Sequence, residues 1–182
     1  MRKIRSFLSV LLTTAMLFSL TSCSRKLKEY DEETLTGILV NKLNIDEDDI
    51  YSVRNPEGQN DAPAGTVVTA VYNDARINVL FCDSADSAYD YFQREYDEFS
   101  DTFNQNGQFD GTLESECDKG NGYIIVNGED IGSTLFGDRF ATGSFHAGFY
   151  YTGSTIIVVL PEDFGNTDDV STIISVLGYP DV

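Results

Sequence analysis

Apolar residues recur at three- and four-residue spacing in three stretches of the chain and at alternate positions in most of the rest. Leu35, Ile38, Leu39 and Leu43 form one stripe, which predicts a helix from Asp31 to about Leu43. Asp31 suits its cap, and Glu32 and Glu33 suit its positive end. The longest periodic run extends from Ser84 to about Phe103. It sets Ala85, Ala88, Tyr89, Phe92, Tyr96, Phe99 and Phe103 inward and Asp90, Arg94 and Glu98 outward. A last helix is predicted over Thr167 to Leu177. Val170, Ile173, Ile174 and Leu177 face inward there, and Gly178 and Pro180 end it.

Between the helices the period changes to two. Ile50 to Arg54 is a short strand candidate, and Asn55 to Gly65 has the glycines and prolines of a loop. Thr66–Tyr72 and Arg76–Cys82 read as a hairpin turning at Asn73-Asp74-Ala75. Phe109, Gly111, Leu113, Ser115 and Cys117 alternate with polar residues, as in a strand buried on one side. Lys119 to Gly122 turns into Tyr123–Val126. A second hairpin pairs Ser144–Tyr151 with Ser154–Leu160. Hairpin followed by helix thus occurs twice, as an echo in which few residues are shared. Strand runs broken by helices predict an α+β class: two layers, a mainly antiparallel sheet and about three helices.

The first residues follow a different pattern. Arg2, Lys3 and Arg5 precede an apolar run from Phe7 to Leu20, too short for a comfortable membrane span. The run ends Leu20-Thr21-Ser22-Cys23, which resembles the lipobox of bacterial lipoproteins. The resemblance covers this signal alone. It implies that the chain is cut before Cys23, that the Cys23 sulfur is diacylated, and that the new end is held in a membrane on its extracytoplasmic side. The expected organisation is a signal peptide over residues 1–22, a lipidated basic stub over 23–28 and one globular domain over 29–182.

Charge sharpens this picture. The whole chain carries 12 Lys+Arg against 30 Asp+Glu. Residues 1–22 hold three basic side chains and no acid, so cleavage leaves nine against 30, a net of −21. From Glu29 onward the count is six against 30, a net of −24. Such a domain lacks the basic face that nucleic acid requires. An anionic membrane attracts the stub residues Arg25, Lys26 and Lys28 and repels the rest.

Candidate chemistry is sparse. His146 is the single histidine, and it reads more readily as a strand residue than as a catalytic base. No G-x-S-x-G elbow, P-loop or dinucleotide fingerprint is present, so no catalytic residue and no cofactor is expected. Asp163-Phe164-Gly165 spells a kinase tripeptide without the rest of that set. Asp46-Glu47-Asp48-Asp49 lacks the ligand spacing and the glycine of a Ca²⁺ loop, and reads as a solvated turn with no metal. Cys82 and Cys117 can pair outside the cytoplasm or pack as two buried thiols.

Aromatic residues concentrate late in the chain. Phe136, Phe140, Phe145, Phe149, Tyr150 and Tyr151 lie beside the glycines of segment 128–143, a composition that suits either a recognition surface or core. Alternation sets Phe145, Ala147, Phe149 and Tyr151 on one strand face, which looks like core. His146 and Tyr150 fall on the other face and, with Phe136 and Phe140, are the expected surface. The reading is a membrane-anchored, non-enzymatic binding module. Its partners would be membrane lipid through Cys23 and a protein or small ligand at the cell surface. A carboxylate-based hydrolase and an accessory subunit of a membrane complex are the rivals.

Overall fold

A computed structural model describes residues 26–56, 62–106, 109–130, 134–135, 138–139, 143–162 and 167–182. Helix α1 (Glu32–Leu43) comes first. Asp31 caps it by accepting from the Thr34 N–H at 2.7 Å, and Asn44 closes it in the left-handed region at φ 60°. A 3₁₀ turn (Glu47–Asp49) leads into β1 (Tyr51–Asn55). Then come β2 (Gly65–Tyr72), β3 (Ala75–Cys82) and the long helix α2 (Ala85–Asn106). Strands β4 (Phe109–Asp118) and β5 (Asn121–Asp130) form a hairpin. The minor pair β6 (Thr134–Leu135) and β7 (Asp138–Arg139) follows. The chain ends with β8 (Gly143–Thr152), β9 (Thr155–Pro161) and α3 (Asp168–Leu177).

Seven strands make one antiparallel sheet in the order β1-β2-β3-β9-β8-β5-β4. The α+β class, the antiparallel sheet and the three helices agree with the sequence pattern. The helices, expected as one layer, are divided between the two faces of the sheet. Helices α1 and α3 cover one face, where Leu35, Leu39, Ile173 and Ile174 meet Val68, Ile77, Val79, Ile125, Ile157 and Val159. Helix α2 covers the other, where Ala88 and Phe92 meet Ile124, Phe145, Phe149, Tyr151 and Ile156. The Phe92 ring stacks on Phe149 at 5.1 Å and on Tyr151 at 5.4 Å between centroids. Strand β9 therefore has buried side chains on both faces, as its unbroken Ile156–Leu160 run requires.

The hairpin–helix echo differs between its two copies. Antiparallel pairing of β3 with β9 relates the hairpins by a rotation about the sheet normal, which would leave both helices on one face. Helices α2 and α3 lie on opposite faces, so that symmetry does not extend to them.

The expected boundary at residue 29 moves. Leu27 is 4% exposed and belongs to the core under α1 and α3, together with Tyr30. The folded domain thus includes part of the basic stub.

Candidate functional site

Where two helix layers enclose the sheet, both sides of β8 become interior. Tyr150 and His146 are each 1% exposed, so neither belongs to a surface. Alternation told the two strand faces apart correctly. The second face is not open as expected, because α3 and the following tail cover it. Gly148 lies between these two residues on that face, and a Cβ there would land on the Tyr150 ring. The missing side chain is what lets that ring fold back along its own strand.

The tail is fastened by a set of buried and half-buried polar contacts. The Tyr150 hydroxyl donates to the Pro180 carbonyl at 2.8 Å, and Asn127 Nδ2 donates to the Val182 carbonyl at 3.1 Å. Gly178, at φ 73°, ends α3, and its N–H turns back to the Ser175 carbonyl. The Tyr179 hydroxyl then donates to the Lys28 carbonyl at 2.7 Å, and the Tyr30 hydroxyl donates to the Leu177 carbonyl at 2.6 Å. Tyr179 packs on Tyr150 at 4.9 Å between centroids. Segment 26–31 and segment 178–182 thus form a clasp over one face of the sheet. Burial raises the hydroxyl pKa values of Tyr150, Tyr179 and Tyr30 above the ordinary tyrosine value.

His146 joins the clasp to α3. Ser171 Oγ is 3.2 Å from His146 Nδ1, and Asp181 Oδ1 is 2.7 Å from His146 Nε2. That nitrogen is close to the carboxylate without a well-aligned hydrogen bond. Serine, imidazole and carboxylate are the parts of a nucleophile-activating relay. Here the imidazole is enclosed, with His146 1% exposed beneath α3 and the tail. Sequence reasoning missed Ser171 and Asp181, since 25 and 35 positions separate them from His146 and only the folded tail unites the three.

Cys82 and Cys117 are free thiols. The sheet order puts three strands between β3 and β4, about 19 Å at roughly 4.8 Å per strand spacing. A disulfide needs Cα atoms within about 7 Å, so the pairing considered for these two cysteines is excluded within one chain. Burial, and secondarily the charge of Asp83, pushes the Cys82 thiol up to about 12. Burial raises Cys117 as well, with a smaller push from Asp97 and Asp118. Asp46 accepts from the Asp48 N–H at 3.2 Å and so caps the 3₁₀ turn. Cys23, Phe136, Phe140 and the Asp163–Gly165 tripeptide lie outside the described residues.

Among the described residues, the exposed large apolar side chains lie at the β1 edge of the sheet. Tyr51 is 63% exposed, Val53 65% and Val71 45%. Register places Tyr51 opposite Thr69 and Val53 opposite Val67, so they share the sheet face that α2 covers farther in. Among the described residues, strand β1 pairs with β2 alone, and its outer backbone edge is unpaired within the sheet. The exposed acids Asp46, Glu47, Asp48 and Asp49 lead into it. The far edge strand β4 instead carries Glu114, Glu116 and Asp118, charges that discourage strand addition.

Two open depressions lie near segment 26–31. One is bordered by Glu29, Asp31, Glu32 and Ser154, the other by Lys26, Asp118, Lys119 and Gly120. No family model matches the chain, and no curated protein or solved structure is significantly similar to it.

Proposed function

We propose that this chain is a lipoprotein, held in a membrane on the extracytoplasmic side by an acylated Cys23, whose domain binds a protein partner at the cell surface without catalysing a reaction. The observation that carries the anchor is the order of the first 27 residues. Basic residues, an apolar run and Leu20-Thr21-Ser22-Cys23 come first, and the core begins at Leu27, four positions after the cysteine. Replacing Cys23 with Ser should move the protein from the membrane to the soluble fraction. Retention of Cys23→Ser in washed membranes contradicts the anchor.

The binding reading is supported by the strip of Tyr51, Val53 and Val71 beside an unpaired strand edge and an acidic run. Its chemistry suits an extended segment that offers apolar side chains flanked by Lys or Arg. A photo-cross-linker at position 53 should then capture a membrane-associated protein that the same group at position 114, on the acidic edge, does not. Equal capture at both positions contradicts a specific edge.

The second reading, an enzyme, is favoured by one geometry: Ser171, His146 and Asp181. A fluorophosphonate probe decides between the two. Labelling that disappears in Ser171→Ala establishes a hydrolase, and the binding reading predicts no labelling.

A further inference from the structure

We infer that the domain is seated on the membrane by one pole, the end bearing the β4–β5 and β8–β9 turns, and that Lys26, Lys28 and Lys119 there face anionic lipid headgroups. The inference rests on the anchor at Cys23 proposed above.

The length and the ends of the connecting chain make the first part of the argument. Only Ser24, Arg25 and Lys26 separate Cys23 from Leu27, a reach of at most about 14 Å. Leu27 is no free hinge, because its side chain is in the core and its N–H donates to Asn121 Oδ1 at 2.7 Å. The following residues are fastened as well. The Ser154 N–H donates to Glu29 Oε1 at 3.3 Å, and the Lys28 carbonyl accepts from Tyr179. A lipid at Cys23 therefore pulls on a rigid corner of the domain.

Strand register identifies that corner. Asn121 opens β5 opposite Thr152, and Thr155 opens β9 opposite Phe81, so both hairpin turns share one pole. The Gly120 N–H donates to the Tyr151 hydroxyl and the Gly153 N–H to the Gly120 carbonyl, which ties the two turns together. The other ends of these strands, Asp130, Gly143 and Pro161, lie at the opposite pole with the Asn73-Asp74 turn. Ten-residue strands put the two poles about 30 Å apart.

Charge complementarity makes the second part. Lys26, Lys28 and Lys119 are exposed, and Lys26 and Lys119 border the same depression. Asp118 is beside them, and Glu29 is turned toward the Ser154 N–H. Asp31 and Glu32 border the neighbouring depression at the same pole, so this pole is mixed in charge, whereas the chain from Glu29 as a whole carries a net −24. An anionic membrane attracts these three lysines and repels the strongly acidic remainder, so this mixed pole is the end of the domain that the membrane repels least.

The test is lysine footprinting of the full lipidated protein with a water-soluble acetylating ester, read by mass spectrometry. Vesicles contain phosphatidylcholine with or without 30% phosphatidylglycerol, a composition of roughly physiological negative surface potential. The reference is soluble Cys23→Ser protein, and Lys42, exposed in the last turn of α1, is the internal control. On phosphatidylglycerol vesicles, acetylation of Lys26, Lys28 and Lys119 should slow at least about five-fold while Lys42 is unchanged, and neutral vesicles should protect less. Equal rates at Lys119 and Lys42 on bound protein overturn the seating. Full protection on neutral vesicles overturns the role of lysine charge. Wild-type protein that does not stay with the vesicles at all overturns the anchor itself, and the seating with it.

Discussion

The Tyr150 hydroxyl reaches the Pro180 carbonyl from a ring enclosed by α3, the tail and Tyr179, so water has no route to replace it. Tyr150→Phe leaves that carbonyl without its partner and should cost about 1–2 kcal/mol in a denaturant titration. Tyr150→Ala also opens a cavity and should cost about 3–5 kcal/mol. Gly148→Ala tests the same packing from below. Its methyl group would land on a ring that cannot move without breaking the Pro180 bond, and a loss of about 1–3 kcal/mol is expected. Stability equal to wild type in that variant would show that the tail yields easily. A burial-raised thiol makes Cys82 slow to alkylate in native protein at pH 8, and denaturant should release it. At this scale the sequence was legible in part. Alternation assigned Phe145, Ala147, Phe149 and Tyr151 to one face correctly. It could not show what lies over His146 and Tyr150, because the covering residues come from segments 26–31 and 171–182. Gly148, two residues before a large aromatic, was the one local sign of a crowded face.

Hairpins and helices were the most legible level, because local pattern and local chemistry agree there. Asn73, at φ 49°, supplies the left-handed turn between β2 and β3, and the Asp31 cap and Gly178 stop lie where the pattern put them. The order of strands was not legible, since pairing β3 with β9 joins residues about 80 positions apart in the chain. The sign of two covered faces was present in the unbroken runs Ile156–Leu160 and Tyr123–Val126, which alternate too little for a half-solvated strand. Helix α2 gives a direct prediction. Phe92 is its main contact with Phe149 and Tyr151, so Phe92→Ala should cost about 3–5 kcal/mol in the same titration. Strand β1 predicts the reverse. Val53→Lys alters an exposed side chain at the sheet edge and should change stability by no more than about 0.5 kcal/mol while weakening partner capture. A large loss of stability would mean that the strip supports the fold rather than a partner.

For the whole molecule, burial and charge set the response to pH and salt. Cys82, Tyr150 and Tyr179 have pKa values above their ordinary values of 9.0 and 10.0, with burial as the largest cause. The folded state holds these protons more tightly than the unfolded chain. Their contribution is therefore complete below pH 9 and falls as pH rises toward 12 and beyond. Denaturation midpoints measured from pH 8 to 11 should decline, and a flat profile would contradict the burial of these groups. With 30 carboxylates in the chain, NaCl should stabilise the domain by screening over about 10 Å at 0.1 M, and ionic-strength-matched Ca²⁺ should do no more. The most direct test of the central claim, that the chain is a membrane-anchored lipoprotein, is the intact mass of the protein purified from membranes of cells that process such signals. The account predicts a chain that begins at Cys23 and carries the added mass of a diacylglyceryl group. An uncleaved chain, or one cleaved elsewhere without lipid, would contradict it.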